Sequence, residues 1–397
     1  MAETLSLYLH IPFCTAKCGY CDFNSYAGQE HLIPSYTQTL VHEAELWRSA
    51  TAGHTVTTVF FGGGTPSLMP LEDMGAIMDG MRATFDIAPD AEVTLEANPG
   101  SLDEPYLSGL LDRGFNRLSI GVQSFHDDEL AALDRLHSAE DARAAVRAAR
   151  AAGFTNLNLD LIFGLSEQPM ERWQGTVEEA LALSPEHLSL YALTVEEGTP
   201  LARDVARGRT APPDPDAQAD QYEWTQERLA RAGYEHYEIS NWARPGRRCE
   251  HNLTYWECRE YLGLGAGAHS YLGGVRFAGA ALPTKYLSLV EESWQETQPD
   301  ASGAVDGKTS MRQVISGETI TPELAMADTL ILGLRLVDGV SLAGFRERFG
   351  TEALDAFGDA LREPLEVGLL EIVEGQLRLT KWGRLLGNEV FARLLPD

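Results

Sequence analysis

Short runs of β-branched and aromatic residues alternate with longer Ala-, Leu-, Arg- and Glu-rich segments through the first half of the chain. The short runs predict strands over residues 5–13, 55–62, 92–98, 117–123, 156–164 and 187–194. Helical patterning falls between them near 34–49, 71–84, 103–112, 139–152 and 171–183. Strand and helix repeated in this order predict a parallel sheet with right-handed crossovers. The expected fold class is α/β, a partial (β/α)6 TIM-like barrel over residues 1–200. Barrels of this kind place their chemistry at the C-terminal ends of the strands, where polar and glycine residues fall here.

The pattern changes at the Pro-rich stretch 209–216, ahead of a helix expected over 217–232. A strand-like segment at 234–240 and a Gly-rich, aromatic stretch to about residue 280 read as an extension of the barrel, assigned to 201–300. Polar, weakly patterned residues 292–320 read as a linker. In the last part, assigned to 301–397, the pattern is helical from residue 321 onward, then predicts a hairpin over 369–380 and a helix over 381–395. That order suggests a smaller C-terminal domain, helical and winged-helix-like.

Composition narrows the function classes. The chain has 397 residues, with 59 Asp and Glu against 31 Lys and Arg, for a net charge of −28. Such a surface repels phosphate backbones and anionic lipid, so nucleic-acid binding is not expected. Residues 301–397 alone carry about −5, which argues against the DNA binding common among winged helices. No run approaches eighteen apolar residues, so no transmembrane segment is expected. The start Met1-Ala2-Glu3-Thr4 lacks a basic leader, making the cytoplasm the expected location.

Three of the five cysteines, Cys14, Cys18 and Cys21, form Cys-x3-Cys-x2-Cys directly after the first strand. Cys249 and Cys258 lie far downstream. An odd count in a long chain without an export signal speaks against a disulfide framework and for a metal site. Structural zinc would need a fourth protein ligand, and His10 is the nearby candidate. Three thiolates on a [4Fe–4S] cluster would instead leave one iron open to an exogenous ligand.

This cysteine motif resembles the signature of the radical S-adenosylmethionine (SAM) superfamily, and the likeness extends over nearly the whole chain. The resemblance implies a partial barrel and a [4Fe–4S] cluster whose open iron is chelated by SAM. It also implies one-electron cleavage of the S–C5′ bond to a 5′-deoxyadenosyl radical. Phe61-Gly62-Gly63-Gly64-Thr65-Pro66, ending the second strand, resembles the family's contact to the methionyl end of SAM. Tyr8, Glu96, Gln123, Arg135 and Asp160 match SAM-contacting positions in the coproporphyrinogen-oxidase-like branch, and Tyr20 in the cysteine loop is taken with them. By residue chemistry alone, each could equally be a polar rim residue, and Arg135 could pair with a surface acid. Asp160 stands inside the apolar run Asn158-Leu159-Asp160-Leu161-Ile162-Phe163 and would need a partner there.

Within that branch the sequence resembles the HemW-like heme chaperones more than the oxygen-independent coproporphyrinogen III dehydrogenases. Phe23 occupies the place of the dehydrogenases' extra cysteine, and thirteen residues precede Cys14 where they carry a longer extension. Cys21-Asp22-Phe23-Asn24-Ser25-Tyr26 looks like the HemW cluster segment, and His251-Asn252-Leu253-Thr254-Tyr255-Trp256 matches the His-Asn-x-x-Tyr-Trp motif. The resemblance implies heme as a ligand and passage of heme to an acceptor hemoprotein, such as a membrane respiratory enzyme. It also implies SAM-linked control of state, with a homodimer among the expectations. His251 could then ligate heme iron, with Tyr255 and Trp256 against the porphyrin. Residue chemistry alone favours a hydrogen-bonded histidine with aromatics filling core. His269 is a second candidate axial ligand, and Cys249 and Cys258 are either heme-reactive or buried thiols. The alternatives are propionate decarboxylation of coproporphyrinogen III, or radical chemistry on another substrate, as in methyl transfer or cyclopropanation. Whether the chain is an enzyme stays open, with no residue assigned as catalytic. One departure stands out: Ser166-Glu167-Gln168 replaces the family's Pro-Gly-Gln.

Overall fold

The six strands expected from the pattern are present: β1 (Glu3–Ile11), β2 (His54–Gly63), β3 (Asp86–Ala97), β4 (Arg117–Gln123), β5 (Leu157–Phe163) and β6 (His187–Ala192). They pair in chain order, and every pair is parallel. The structure is a computed structural model that describes residues 3–298 and 311–396. The chain divides into two units. One runs to Gln221 and resumes with Glu260–Glu318; the other holds Tyr222–Arg259 and the residues from Thr319 onward.

Period-two alternation gives the six strands two unlike faces. One face is apolar and buried: Leu5, Leu7 and Leu9 on β1, Leu118, Ile120 and Val122 on β4, Leu157, Leu159 and Leu161 on β5. The intervening positions are polar, among them Ser119 on β4, Asn158 and Asp160 on β5, and His187 and Ser189 on β6. Asn158 ties this face together. Its amide nitrogen donates to Ser119 Oγ at 2.7 Å and to Asp160 Oδ1 at 2.8 Å. Its oxygen accepts from His187 Nδ1 at 2.7 Å and from Ser189 Oγ at 3.1 Å. Asn158 thus satisfies the polar groups that β4, β5 and β6 bury around it.

The crossovers are α1 (Ile33–Trp47), α2 (Leu71–Thr84), α3 (Glu104–Asp112), α4 (Asp127–Ala132), α5 (Ala139–Ala152) and α6 (Met170–Ala182). The short α4 adds to the pattern read from sequence. Local chemistry bounds α5: Ser138 and Asp141 form a reciprocal capping box, and Gly153 closes the helix at φ 111°. Ala142, Ala145, Val146 and Ala149 form its buried stripe.

Past the barrel the chain departs from the expected order. It leaves the first unit after Gln221 and returns at β7 (Tyr261–Leu264), which lies parallel to β1 with Ser6 opposite Tyr261. Then β8 (His269–Leu272), β9 (Val275–Gly279) and β10 (Val314–Thr319) extend that edge. Residues 201–300 are thus not one continuous extension. Nor is 292–320 a plain linker. Helix Pro283–Thr297 occupies its start, β10 occupies its end, and 299–310 lie outside the described residues. Polar composition concealed the end of that helix, because past residue 292 only Ser293 of its buried residues remains.

The second unit packs Leu330, Leu334, Phe345, Leu361, Leu370, Leu377 and Val390 into its own core. Its three-stranded sheet is ordered Val340–Ser341, Gln376–Leu379, Leu370–Val373, and the expected hairpin turns at Glu374 and Gly375, both at positive φ. The single helix expected over 381–395 is two, Lys381–Leu385 and Gly387–Leu394. Glycines at 383 and 387 weaken the helix on either side of the break at Leu386.

Candidate functional site

The cysteine loop leaves β1 and is held by its neighbours. Phe13 and Cys14 pair with Tyr26 and Ala27, Cys21 N donates to Cys18 O at 3.1 Å, and Asn24 Nδ2 donates to Ala266 O at 2.9 Å. Cys14 is buried, Cys18 and Cys21 are half-buried, and all three are free thiols. They line one side of a cavity of about 370 Å³ at the C-terminal ends of the strands.

The glycine run answers first to this loop. Gly64 N donates to Ile11 O at 2.8 Å, and a β-carbon on Gly64 would stand 2.6 Å from Phe13 O. Gly63 has φ 113°, and a β-carbon there would meet the His10 ring at 2.5 Å. Close approach of neighbouring backbone therefore requires Gly64, the His10 ring and a positive φ require Gly63, and both also line the cavity.

His10 is committed to the protein on both ring nitrogens. Nε2 lies 2.8 Å from Asn24 O, which only accepts, so Nε2 carries the proton; Nδ1, 3.0 Å from Tyr8 Oη, accepts from that hydroxyl. This removes the fourth ligand that a zinc reading needs. Tetrahedral zinc would also bring thiolate sulfurs within about 3.8 Å of one another. Among the described residues, the one trio of His, Cys, Asp or Glu ligand atoms mutually within 4.8 Å is Glu3, His54 and Glu260, not the cysteines. A wider, three-thiol donor set fits a polynuclear iron–sulfur cluster.

Most of the polar residues singled out in the sequence share this cavity with the cysteines. Tyr20, Gly63, Gly64, Thr65, Glu96, Gln123, Arg135 and Asp160 all line the cavity. Glu96 Oε2 accepts from Gly63 N at 3.0 Å, and burial, with Asp160 nearby, lifts its carboxyl to about 7. Asp160 has the partners its apolar strand demands, since Ser119 Oγ donates to it at 3.1 Å as well as Asn158; burial raises its pKa too. Gln123 sits at φ 68° beside a register shift, a left-handed conformation uncommon for a residue with a side chain. Arg135 donates to Asn98 Oδ1 at 2.5 Å, Gly121 O at 2.8 Å and Cys18 Sγ at 3.7 Å. None of these is a carboxylate, so a guanidinium charge faces the cavity without a carboxylate partner. Burial raises the Tyr20 hydroxyl above its ordinary pKa.

Tyr8 lies beside Glu96, behind the cavity wall. It stacks on Phe60, bonds His10 and is not part of the cavity wall. Asn98, Ser119 and Tyr191 line the cavity without having been singled out in the sequence. Asn98 follows Glu96 by two, the spacing of one strand face, and that alternation was the available signal. Phe23 is 62% exposed and Tyr191 43% exposed, and both belong to the cavity wall.

The heme candidates His251, Tyr255 and Trp256 belong to the second unit, on helix Glu250–Trp256. His251 is buried, with Nε2 2.9 Å from Tyr255 Oη. The Trp256 face carries the Arg335 guanidinium 4.3 Å from its centroid. Cys249 is buried, Cys258 is half-buried at φ 52°, and His269 is exposed on β8.

Comparison with known proteins supplies the family. The radical SAM superfamily model matches residues 8–180, and the HemN C-terminal domain model matches 320–386. The chain is 36% identical to the heme chaperone HemW of Bacillus subtilis, over 99% of each chain. The chain belongs to the HemW family of radical SAM proteins. It is also 43% identical to the HemW of Escherichia coli over 67% of this chain and 69% of that one. In fold, coproporphyrinogen III oxidase (HemN) from Escherichia coli, a radical SAM enzyme, superposes with a TM-score of 0.83. That match is 25% identical and covers 99% of this chain and 90% of the other. Radical SAM membership implies a [4Fe–4S] cluster and SAM, and the cavity's donor set is of the kind they require. Among the described residues, no helix is long and apolar enough to cross a membrane.

Proposed function

We propose that this HemW-family protein is a cytoplasmic heme chaperone that binds heme and passes it to an acceptor hemoprotein, a membrane respiratory enzyme among the candidates. The observation that carries the reading is the full-length likeness to a HemW heme chaperone, joined to Phe23 on the cavity wall where the dehydrogenases have an extra cysteine. When bound, cluster and SAM supply one-electron chemistry at the sulfonium sulfur.

The chain's own residues do the positioning. Cys14, Cys18 and Cys21 would hold three corners of the cluster. The Arg135 guanidinium would receive the SAM carboxylate, and Glu96 its ammonium. Gly63, Gly64 and Thr65 keep the wall beside them free of bulk, while Gln123, Tyr20 and Asp160 complete it and displace water. Heme would be held through His251, with Tyr255 and Trp256 beside it. Reaching that state requires the Tyr255 hydroxyl to give up His251 Nε2. SAM-linked formation of a homodimer would regulate the transfer.

The test pairs two assays on one anaerobically reconstituted sample. A Soret shift on hemin titration, with no protoporphyrinogen from coproporphyrinogen III, SAM and reductant, is the expected result. Protoporphyrinogen formation would assign the protein to the dehydrogenases, whose fold it shares.

A further inference from the structure

We infer that Asn98 is the positioning residue of a hydrogen-bond relay that aims one donor at each of two cluster thiolates and thereby raises the cluster's reduction potential. The inference rests on reading Cys14, Cys18 and Cys21 as cluster ligands.

The relay follows from what each group can donate. Arg135 has donors only, so the atom of Asn98 facing its Nη2 at 2.5 Å is the carbonyl oxygen. The amide nitrogen of Asn98 must then face Thr65, 3.0 Å from Oγ1. Having accepted that bond, the Thr65 hydroxyl has one proton left to give, and Cys14 Sγ lies 3.6 Å away. On the other branch, Arg135 Nη2 also reaches Gly121 O at 2.8 Å, which fixes the plane of the guanidinium and leaves Nη1 directed at Cys18 Sγ, 3.7 Å distant. Asn98 touches no cysteine. Its backbone is pinned, since Asn98 N donates to Ser67 Oγ at 3.2 Å.

The consequence is electrostatic. An O–H or N–H directed at a thiolate ligand withdraws electron density from the cluster and favours the reduced form, which carries one more negative charge. Two of the three cysteines are served in this way, and one side chain orients both donors. Asparagine is the residue that does this, because it presents an acceptor to Arg135 and a donor to Thr65 in one rigid plane.

The experiment uses the full chain, reconstituted anaerobically without SAM so that Arg135 has no added anion to hold. Iron and sulfide are counted, and the midpoint potential of the one-electron couple is taken by EPR-monitored redox titration. Thr65→Val and Asn98→Ala should keep wild-type iron and move the midpoint to lower potential, Asn98→Ala further because it releases both donors. Thr65→Ser retains the hydroxyl and should restore the wild-type value. Full clusters with unchanged potentials in Thr65→Val and Asn98→Ala would overturn the relay. If Asn98→Ala assembles no cluster, Thr65→Val against Thr65→Ser decides by the same criterion. A wild-type chain that takes up no iron would instead overturn the reading of the cysteines.

Discussion

The ring of His10 fills the space that a β-carbon on Gly63 would need, its Cε1 only 2.5 Å from that point. Gly63 also holds φ 113° and gives its N–H to Glu96. Gly63→Ala therefore combines backbone strain with overlap and should destabilise the protein by about 2–5 kcal/mol. Denaturant unfolding of the variant should show a lower midpoint, and reconstitution should recover less iron.

Because both nitrogens of His10 are committed within the protein, the imidazole is unavailable to metal. His10→Gln should keep wild-type iron and sulfide per folded chain. Ala at Cys14, Cys18 or Cys21 should abolish stable uptake. Metal analysis after anaerobic reconstitution checks both, and zinc bound in a His10-dependent way would reverse the assignment.

Glu96 ionises only near pH 7, because its site is buried and Asp160 lies close. If it receives the SAM ammonium, affinity should rise as pH increases through that value. Glu96→Gln should weaken SAM binding by about 10- to 100-fold at pH 8 and flatten the pH dependence. Calorimetric titration at pH 6 and pH 8 supplies the comparison.

Glu43, buried on α1, accepts from Tyr286 Oη at 2.6 Å and Gly265 N at 2.8 Å, yet burial still lifts its carboxyl from 4.5 to about 7. An acid with a raised pKa in the fold takes up a proton on folding. Its contribution is therefore greatest below 4.5, declines as pH rises, and levels off above about 7. Glu43→Gln should remove a loss of about 2–3 kcal/mol between pH 5 and pH 8. Urea unfolding of wild type and variant at both pH values measures the difference.

His251 and Tyr255 lie one helical turn apart, and the tyrosine hydroxyl meets the nitrogen that heme iron would need. Tyr255→Phe removes this competing bond and should tighten hemin binding by about 2- to 10-fold. His251→Ala should weaken it and shift the Soret maximum. Unchanged spectra in both would remove His251 from the heme site and direct attention to His269.

Much of this protein was legible in its sequence, because the relevant information is local. The strand Arg117–Gln123 and helices Leu71–Thr84 and Ala139–Ala152 occupy their expected ranges, since periodicity and caps act over a few residues. The cysteine spacing and the glycine run identified one wall of the cavity for the same reason. What required tertiary structure was every relationship between distant segments. Tyr261 lies beside Ser6 although some 250 residues separate them. Only the last turns of helix Pro283–Thr297 fall within 292–320, and Ser293 is the one buried residue of that helix there. The Tyr8 ring stacks on Phe60 because the pairing of β1 with β2 sets the two side by side. Asn98 became visible only when folding set Arg135 on one side of its amide and Thr65 on the other. Sequence determined which elements form and which chemical groups they carry. The tertiary fold decided which of those groups meet, because hydrogen bonds act over about 3 Å and the chain alone does not set distances between remote residues.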